Sequence, residues 1–440
     1  MIALRMAVGL AIAGCMAAGA ARAQDPAVAS DDLRARQAAL YEAMLDAPDD
    51  LDIMFRHALA SVEISDYEAA ITTLERMLIF NPNLGRAKVE LGAAYFRLGA
   101  YENARYYFED VLANDDPPPE VARRIDAFLT EIDKRTQKSG FAGVATFGAT
   151  YSSNANLGPP DGDVLLFGRP AILGKQFVET DDFGFRATAQ GRHFYDLDRP
   201  NSDVWLTDVS LFSLHYLEET DGDLDSFAFL TGPRLSLNAE RFGPKIRPYL
   251  SGEALRSGNE LLYYGAGLGA EYSDTLNDRV NLFAAAEGKW REYDEQNDFD
   301  GPSFRAAIGA SYAPDPSTAF SALAFAESDQ ADKDYNTNYE AGFRLGAVHR
   351  YDSGVEFTDR LWSVAAFASA SWRWFDEPDP VVDPNRKRDD LDLRAGISHV
   401  FHLTEGWFVQ ADADYLYRDS NVSNFDLENF GVGLSVGLSF

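Results

Sequence analysis

The feature that most constrains this fold is a period of two that runs from Ser139-Gly140 to the last residue. Between Leu262 and Tyr272 every even position is apolar, whereas the odd positions are mostly glycine. Successive side chains of a β-strand point to opposite faces, so the alternation predicts strands with one apolar face. About fourteen such runs follow one another. They start near Phe141, Asp182, Ser202, Leu224, Arg247, Leu261, Asp278, Ser303, Ser317, Thr337, Leu361, Leu391, Gly406 and Asp426.

The length of these runs favours a transmembrane barrel over a soluble sandwich. Runs of about 10 to 14 residues can cross a bilayer at a tilt, whereas a sandwich uses shorter strands. Aromatic residues concentrate at the ends of the runs, as in the girdles of outer-membrane barrels. An even strand count places both barrel ends on the periplasmic side. These aromatic residues are Trp205, Tyr264, Tyr272, Trp290, Trp362, Trp374, Trp407, Tyr415 and Tyr417.

The first 23 residues are typical of a secretory signal. Arg5 precedes an apolar run from Met6 to Ala20, and Ala21-Arg22-Ala23 is a small-x-small cleavage site. Two alternatives are a retained membrane anchor and lipidation at Cys15 in a loose lipoprotein box. Cleavage after Ala23 removes that single cysteine and lowers the formal net charge from −31 to −33, because Arg5 and Arg22 are lost. Such acidity argues against nucleic acid as a partner.

Residues 24–138 have a helical period and a repeat of 34 residues. The first turn of the pattern, Tyr67 and Ala70, recurs at Tyr101 and Ala104, and Leu91-Gly92-x-x-Tyr95 is a tetratricopeptide signature. Further helices are predicted at Asp31–Leu45 and Glu120–Lys134, which would make a minimal stack. We interpret the repeat residues as packing residues, while a concave surface beside them could grip a peptide or protein. They are Tyr67, Ala70, Leu91, Gly92, Tyr95, Tyr101, Ala104 and Phe108.

The predicted inward face of the barrel, residues 139–440, carries many charges. They either line a conduit or form a lattice of salt bridges that fills the interior, because charges inside a modest barrel must be paired. The residues assigned to this face are Arg186, Arg192, Glu271, Glu287, Arg291, Arg344, Arg394, Asp412 and Asp414.

The last run ends at the final residue with an apolar face that resembles the terminal signal of outer-membrane barrels. We expect the barrel-insertion machinery to recognise this face. It consists of Phe430, Val432, Leu434, Val436, Leu438 and Phe440. No phosphate loop, zinc spacing or nucleophile elbow is present, so we expect no enzymatic activity, cofactor or metal.

The start of the predicted barrel, residues 147–157 (FGATYSSNANL), resembles the first barrel strand of the surface lipoprotein assembly modulator family, with its Ser-Asn-x-Asn segment. The architecture of residues 30–440 also resembles that family. The resemblance implies helical repeats in the periplasm and a fourteen-stranded barrel in outer-membrane lipid. It further implies that the protein helps move cargo proteins, often lipoproteins, across the outer membrane.

This chain departs from the fullest members of that family in having a shorter repeat domain, which leaves the type of cargo open. Soluble secreted proteins are an alternative to lipoproteins. Two other classes remain: an exporter of exopolysaccharide, which usually has more repeats and a wider pore, and a porin-like channel, which needs no repeats. A barrel enzyme is a further class, but no residues suggest its chemistry.

Overall fold

The computed structural model describes residues 31–114, 117–199, 203–238, 243–355, 361–404 and 406–440. The predicted signal peptide, residues 1–23, lies outside the described residues. Contacts divide the chain into a helical unit that ends at Lys138 and a β unit that begins at Ser139. The change of period in the sequence falls at the same place.

Six helices form the described part of the helical unit. Asp50 caps α2 by accepting hydrogen bonds from the amides of Asp52 and Ile53, and Asp66 caps α3 through the amide of Ala69. Gly99 ends α4 with a φ of 84°, a left-handed conformation that suits glycine. The helices are α1 (Asp31–Asp46), α2 (Leu51–Glu63), α3 (Tyr67–Phe80), α4 (Gly85–Leu98), α5 (Tyr101–Asn114) and α6 (Pro119–Thr136).

Two apolar clusters hold this unit together. Met54, Leu74 and Leu91 belong to a cluster shared by α1 to α4, while Phe108 and Ile125 belong to one shared by α4 to α6. Helix α4 contributes to both clusters, so it joins the two halves of the stack. Each helical pair therefore buries its apolar surface against a neighbouring pair, as expected of a tetratricopeptide-like array.

Fourteen antiparallel strands close into a barrel, in the order β1-β16-β15-β14-β13-β12-β11-β10-β9-β8-β7-β6-β5-β4. The short strands β2 and β3 form a separate hairpin. The strands are β1 (Ser139–Ser152), β2 (Asp163–Leu166), β3 (Arg169–Ile172), β4 (Asp182–Asp196), β5 (Val204–Tyr216), β6 (Leu224–Ser236), β7 (Lys245–Ser257), β8 (Glu260–Asn277), β9 (Val280–Tyr293), β10 (Gly301–Asp315), β11 (Thr318–Asp329), β12 (Asn338–Tyr351), β13 (Trp362–Phe375), β14 (Asp389–His402), β15 (Trp407–Ser420) and β16 (Leu427–Ser439).

The sequence predictions of the fold class and of fourteen barrel strands are confirmed. Each barrel strand starts within two residues of its predicted start. The hairpin β2–β3 was not predicted, because its two strands of four residues are too short to show a period. It lies in the connection from β1 to β4, the longest connection between neighbouring barrel strands.

The outer surface of the barrel is apolar. Leu268, Ile308 and Leu434 are among the large apolar side chains that stay exposed there, whereas buried charged side chains face inward. Outward aromatic residues form two bands, with Trp205 and Trp407 near the end that carries Phe440, and Trp290 and Trp374 near the opposite end. This is the architecture of an outer-membrane barrel. Among the described residues, no helix combines the length and apolarity needed to cross a membrane.

Candidate functional site

In the part of the barrel that the structure describes, inward side chains form several groups of ion pairs, and the first lies beside the strand pair that closes the barrel. Arg186 on β4 contacts Asp412 on β15 at 2.5 Å, with β1 and β16 between them. A Cβ atom on Gly433 would lie 2.6 Å from the Arg186 guanidinium, so glycine leaves room for this bridge. Asp414 faces the same space opposite Gly431.

The second group is centred on Asp208 of β5. Its carboxylate accepts from Arg192 at 2.5 Å and from Arg247 at 2.6 Å. Arg247 also contacts Glu271 at 3.3 Å and donates to the carbonyl oxygens of Leu206 and Leu230. Two arginines therefore share one carboxylate, and Arg247 is almost fully buried.

The third group is centred on Glu253 of β7. Lys289 and Arg291 each donate to its carboxylate at 2.9 Å. Lys289 also contacts Glu287 at 3.0 Å, and Arg291 contacts Asp329 at 2.9 Å. These pairs link three strands, β7, β9 and β11, so the charges tie the wall across its hydrogen-bonded ladder.

The fourth group is centred on Asp392 of β14. Arg418 donates to both of its carboxylate oxygens, at 2.5 and 2.7 Å, and Arg394 lies 3.6 Å away. Arg373 on β13 pairs with Glu340 on β12 in the same region. Bidentate contacts of this kind fix the geometry of both partners.

Sequence reasoning missed several members of these groups. Asp208, Arg247, Glu253, Glu340, Arg373, Asp392 and Arg418 are buried or nearly so and pair with one another or with predicted residues. The signal that could have found them is the alternation itself. Arg373, for example, lies between the outward Trp372 and Trp374, and Arg247 lies between Ile246 and Pro248. The predicted residues Arg192, Glu271, Glu287 and Arg291 belong to the same networks.

The seam between β1 and β16 closes the barrel and contains the last residue. Phe440 and Gly143 exchange two backbone hydrogen bonds, at 2.8 and 3.0 Å, and the Phe440 ring stacks on Phe141 at 5.7 Å. Phe430, Val432, Leu434 and Val436 stay exposed on the outward face. The predicted insertion signal thus also completes one end of the seam.

The other end of the seam is held by the Ser-Asn-x-Asn segment. Asn154 is fully buried, and its side-chain amide donates to the carbonyl oxygens of Gly158 and Glu428. The side-chain oxygen of Asn429 accepts from the Ser152 hydroxyl at 2.8 Å and from the backbone amide of Asn154 at 3.2 Å. We call these residues, Ser152, Asn154 and Asn429, the seam clasp. It joins the first outer loop to the last strand.

Three connections at the end of the barrel opposite Phe440 are tied together next to this clasp. The amides of Phe167 and Gly168, at the tip of the β2–β3 hairpin, donate to the carbonyl oxygens of Val381 and Val382 in the β13–β14 connection. Asn424, in the β15–β16 connection, both donates to and accepts from the backbone of Leu165. The long first loop is therefore an ordered structure at the end of the barrel opposite Phe440.

In the repeat unit, the structure places the predicted packing residues in or beside the helical interfaces. Ala70, Leu91, Ala104 and Phe108 are fully buried. A Cβ atom on Gly92 would lie 2.8 Å from the Phe108 ring, which explains why the signature has glycine there. Tyr67, Tyr95 and Tyr101 are half-buried. Arg97 lies over the Tyr67 ring at 5.9 Å.

His57 is a buried titratable group of the repeat unit. Its Nδ1 lies 3.0 Å from the Thr73 hydroxyl, and its Nε2 lies 3.2 Å from the Gln37 side-chain nitrogen. Because the Thr73 hydroxyl donates to the carbonyl of Ala69, it accepts from the Nδ1–H of His57. The Nε2 of His57 then accepts from the Gln37 side-chain N–H, and this requires a neutral ring. Burial lowers the pKa of His57 accordingly. The residue is a satisfied packing histidine.

The hydroxyl of Tyr95 in this unit also has a shifted pKa. Burial, together with its hydrogen bond to the Glu75 carboxylate, raises the pKa of Tyr95 to about 12. The Tyr95 ring also stacks on Tyr107 at 5.8 Å. The hydroxyl therefore remains protonated and links α4 to α3.

The first helices of successive pairs form a continuous row. Arg86 of α4 lies over the Phe55 ring of α2 at 4.2 Å, and Arg124 of α6 contacts Glu90 of α4 at 3.5 Å. In stacked helical repeats, such a row presents an extended surface to peptides or proteins. Here that surface carries aromatic and charged side chains.

The repeat unit should be soluble and helical when residues 24–138 are expressed alone, because both of its apolar clusters are internal. Changing the buried Ala104 to Leu should destabilise this fragment by about 1–3 kcal/mol through overpacking. The exposed Ala113 on the same helix is the matched control, and Ala113→Leu should have little effect. Urea unfolding followed by circular dichroism tests this, and equal effects of the two changes would contradict the assigned packing.

No protein-family model matches the chain, and no curated protein matches it either. Among solved structures, a MamA structure from MSR-1 is 21% identical and covers 24% of this chain and 71% of its own, with a TM-score of 0.21. The TPR2B domain of yeast Sti1 in a complex with pHsp70 is also 21% identical and covers 24% and 85%, with a TM-score of 0.21. An anion-selective porin from Comamonas acidovorans is 9% identical and covers 69% and 99%, with a TM-score of 0.37.

Proposed function

We propose that this protein delivers one or a few partner proteins across the outer membrane, with the repeat unit receiving the cargo in the periplasm. The cargo would be a surface lipoprotein or a secreted protein. The observation that carries this proposal is that one chain joins a tetratricopeptide-like array to a closed fourteen-stranded barrel. A channel for small solutes needs only the barrel, whereas the array offers a surface suited to a peptide or protein.

The strand count supports a periplasmic position for the array. With fourteen strands, the first strand begins and the last strand ends at the same end of the barrel. The connections at that end include the two-residue turns 278–279 and 316–317, while the opposite end carries the ordered loop 153–181. Short turns on the periplasmic side and longer loops outside are typical of outer-membrane barrels.

The interior limits how cargo can cross. Groups of paired charges occupy the interior of a barrel that has fewer strands than the 16–18-stranded porins with open channels. A folded cargo domain is too wide for this interior, so cargo would cross unfolded or along an opened wall. Folding of the cargo outside would make its return unfavourable, and this supplies direction without a fuel.

The test is to delete residues 24–138 while keeping residues 1–23, and to compare surface and medium proteins with those of the parent strain. The expected result is a folded, heat-modifiable barrel with one or a few proteins lost from the surface. The Ala113→Leu full-length chain is the control and should display the same proteins as the parent. If polysaccharide export or solute uptake is lost instead and every protein remains, the exporter or porin-like alternative replaces the proposal.

A further inference from the structure

Several arginines on or next to the wall formed by β12 to β15 have a close carboxylate partner. Arg418 binds Asp392 through two short hydrogen bonds, and Arg373 binds Glu340. Arg388, in the connection just before β14, binds Asp390 at 2.6 Å. A partly desolvated guanidinium in such an interior needs a counter-charge, and these three have one.

Arg344 on β12 differs from them. Within the part of the chain that the structure describes, no carboxylate lies within ion-pair distance of its guanidinium. Its guanidinium carbon lies 3.8 Å from the centre of the Phe367 ring, so one face is stacked and the N–H edge is left for another group. The neighbouring inward positions on the same strand are Gly342 and Gly346, which provide no donor or acceptor side chain.

A second arginine lies two strands away at the same level. Arg344 pairs in register with Ser369 of β13, and Ser369 pairs in register with Arg394 of β14. The carboxylate closest to Arg394 is that of Asp392 at 3.6 Å, and the same oxygen accepts a 2.7 Å hydrogen bond from Arg418. One row of the wall therefore presents Arg344, a serine hydroxyl and a weakly paired Arg394.

We propose that this row, Arg344, Ser369 and Arg394, is a binding site for a compact oxyanion such as phosphate. The planar guanidinium edge suits two parallel hydrogen bonds to such an anion. The hydroxyl of Ser369 supplies a further donor between the two cations. An anion bound there supplies the counter-charge that Arg344 lacks among the described residues.

The test uses the purified full-length protein in detergent at constant ionic strength, with chloride replaced stepwise by a few millimolar phosphate. The readout is the temperature at which the compact, heat-modifiable form is lost. With phosphate several-fold above its Kd, the wild type should gain about 2–4 °C. Arg344→Gln should abolish this gain, and Arg394→Gln should reduce it. Arg344→Lys keeps the charge without the forked edge and should give a smaller gain.

Arg305→Gln is the matched control. Arg305 also faces inward and stacks on an aromatic ring, that of Phe325 at 5.3 Å, but it has Glu327 at 3.8 Å. Its loss should leave the phosphate gain unchanged, which separates binding from the general stabilisation that phosphate exerts at higher concentrations. The proposal is overturned if the wild type gains nothing, if the gain persists in both Arg344→Gln and Arg394→Gln, or if Arg305→Gln removes it equally. Should Arg344→Gln fail to fold, the wild type, Arg394→Gln and Arg305→Gln decide.

Discussion

Deleting Phe440, or changing it to Asp, should reduce the folded barrel in outer membranes to a small fraction of the wild-type amount. Deletion removes the two backbone hydrogen bonds with Gly143 and the ring that stacks on Phe141. The change to Asp keeps the main chain but places a charge at the end of the outward apolar face. The measurement is the amount of heat-modifiable protein in outer-membrane fractions, at equal synthesis.

Phe141→Ala is the control that separates recognition from packing. It removes the same ring stack but leaves the apolar face of β16 intact. If the terminal face is a signal for the insertion machinery, Phe141→Ala should assemble in cells at close to the wild-type level. Refolding into detergent should be similar for Phe141→Ala and Phe440→Asp. Normal amounts of folded Phe440→Asp protein in cells would refute the role of the last strand as a signal.

The sequence predicts the strands well because their pattern is local. A period of two sets which face each residue occupies, and turn-forming residues set where each strand starts. The pairing of the first strand with the last could also be expected, because a barrel in a membrane has to close so that no strand edge is left unpaired. The start of β8, for example, lies one residue from its predicted position, although β8 contains a register shift opposite Leu255 and Arg256.

The ion pairs and the seam clasp could not be predicted in the same way, because they depend on register between distant parts of the chain. Arg186 and Asp412 are separated by more than half of the barrel sequence, and their contact requires two intervening strands at the right stagger. Asn154 meets Asn429 only once the barrel is closed. Sequence alone assigns Arg186 and Asp412 to one face, and no local pattern indicates which charges meet.

The Asn154 segment also shows what a motif can and cannot reveal. Residues 147–157 suggested a family and, through it, a function. In the structure, the buried Asn154 side chain bonds to the backbone of Gly158 and Glu428. These contacts explain the asparagine at this position, because its side chain joins the first loop to the last strand at the seam. The proposed cargo role therefore depends on the repeat unit and on the deletion experiment.

The second large effect is expected at Arg418. Its side chain is 2% exposed and that of Asp392 is 5% exposed, so Arg418→Met leaves a buried carboxylate whose closest remaining cation, Arg394, is 3.6 Å away. Breaking a buried pair from one side costs about 3–5 kcal/mol, since the remaining charge is desolvated without its partner. Denaturant unfolding of the full-length protein in detergent should show a loss of this size in the free energy of unfolding.

Two further variants test whether the loss comes from the unpaired buried charge. The double change Arg418→Met and Asp392→Leu removes both charges, so it should be less destabilising than Arg418→Met alone.

Arg256→Met is the surface control, because Arg256 is half exposed and contacts Asp225 at 3.6 Å. A pair of that kind contributes about 0–1 kcal/mol. If Arg418→Met costs no more than Arg256→Met, the inward charges do not hold the wall together. If it costs several times more, any route for cargo through the interior has to break pairs of this strength.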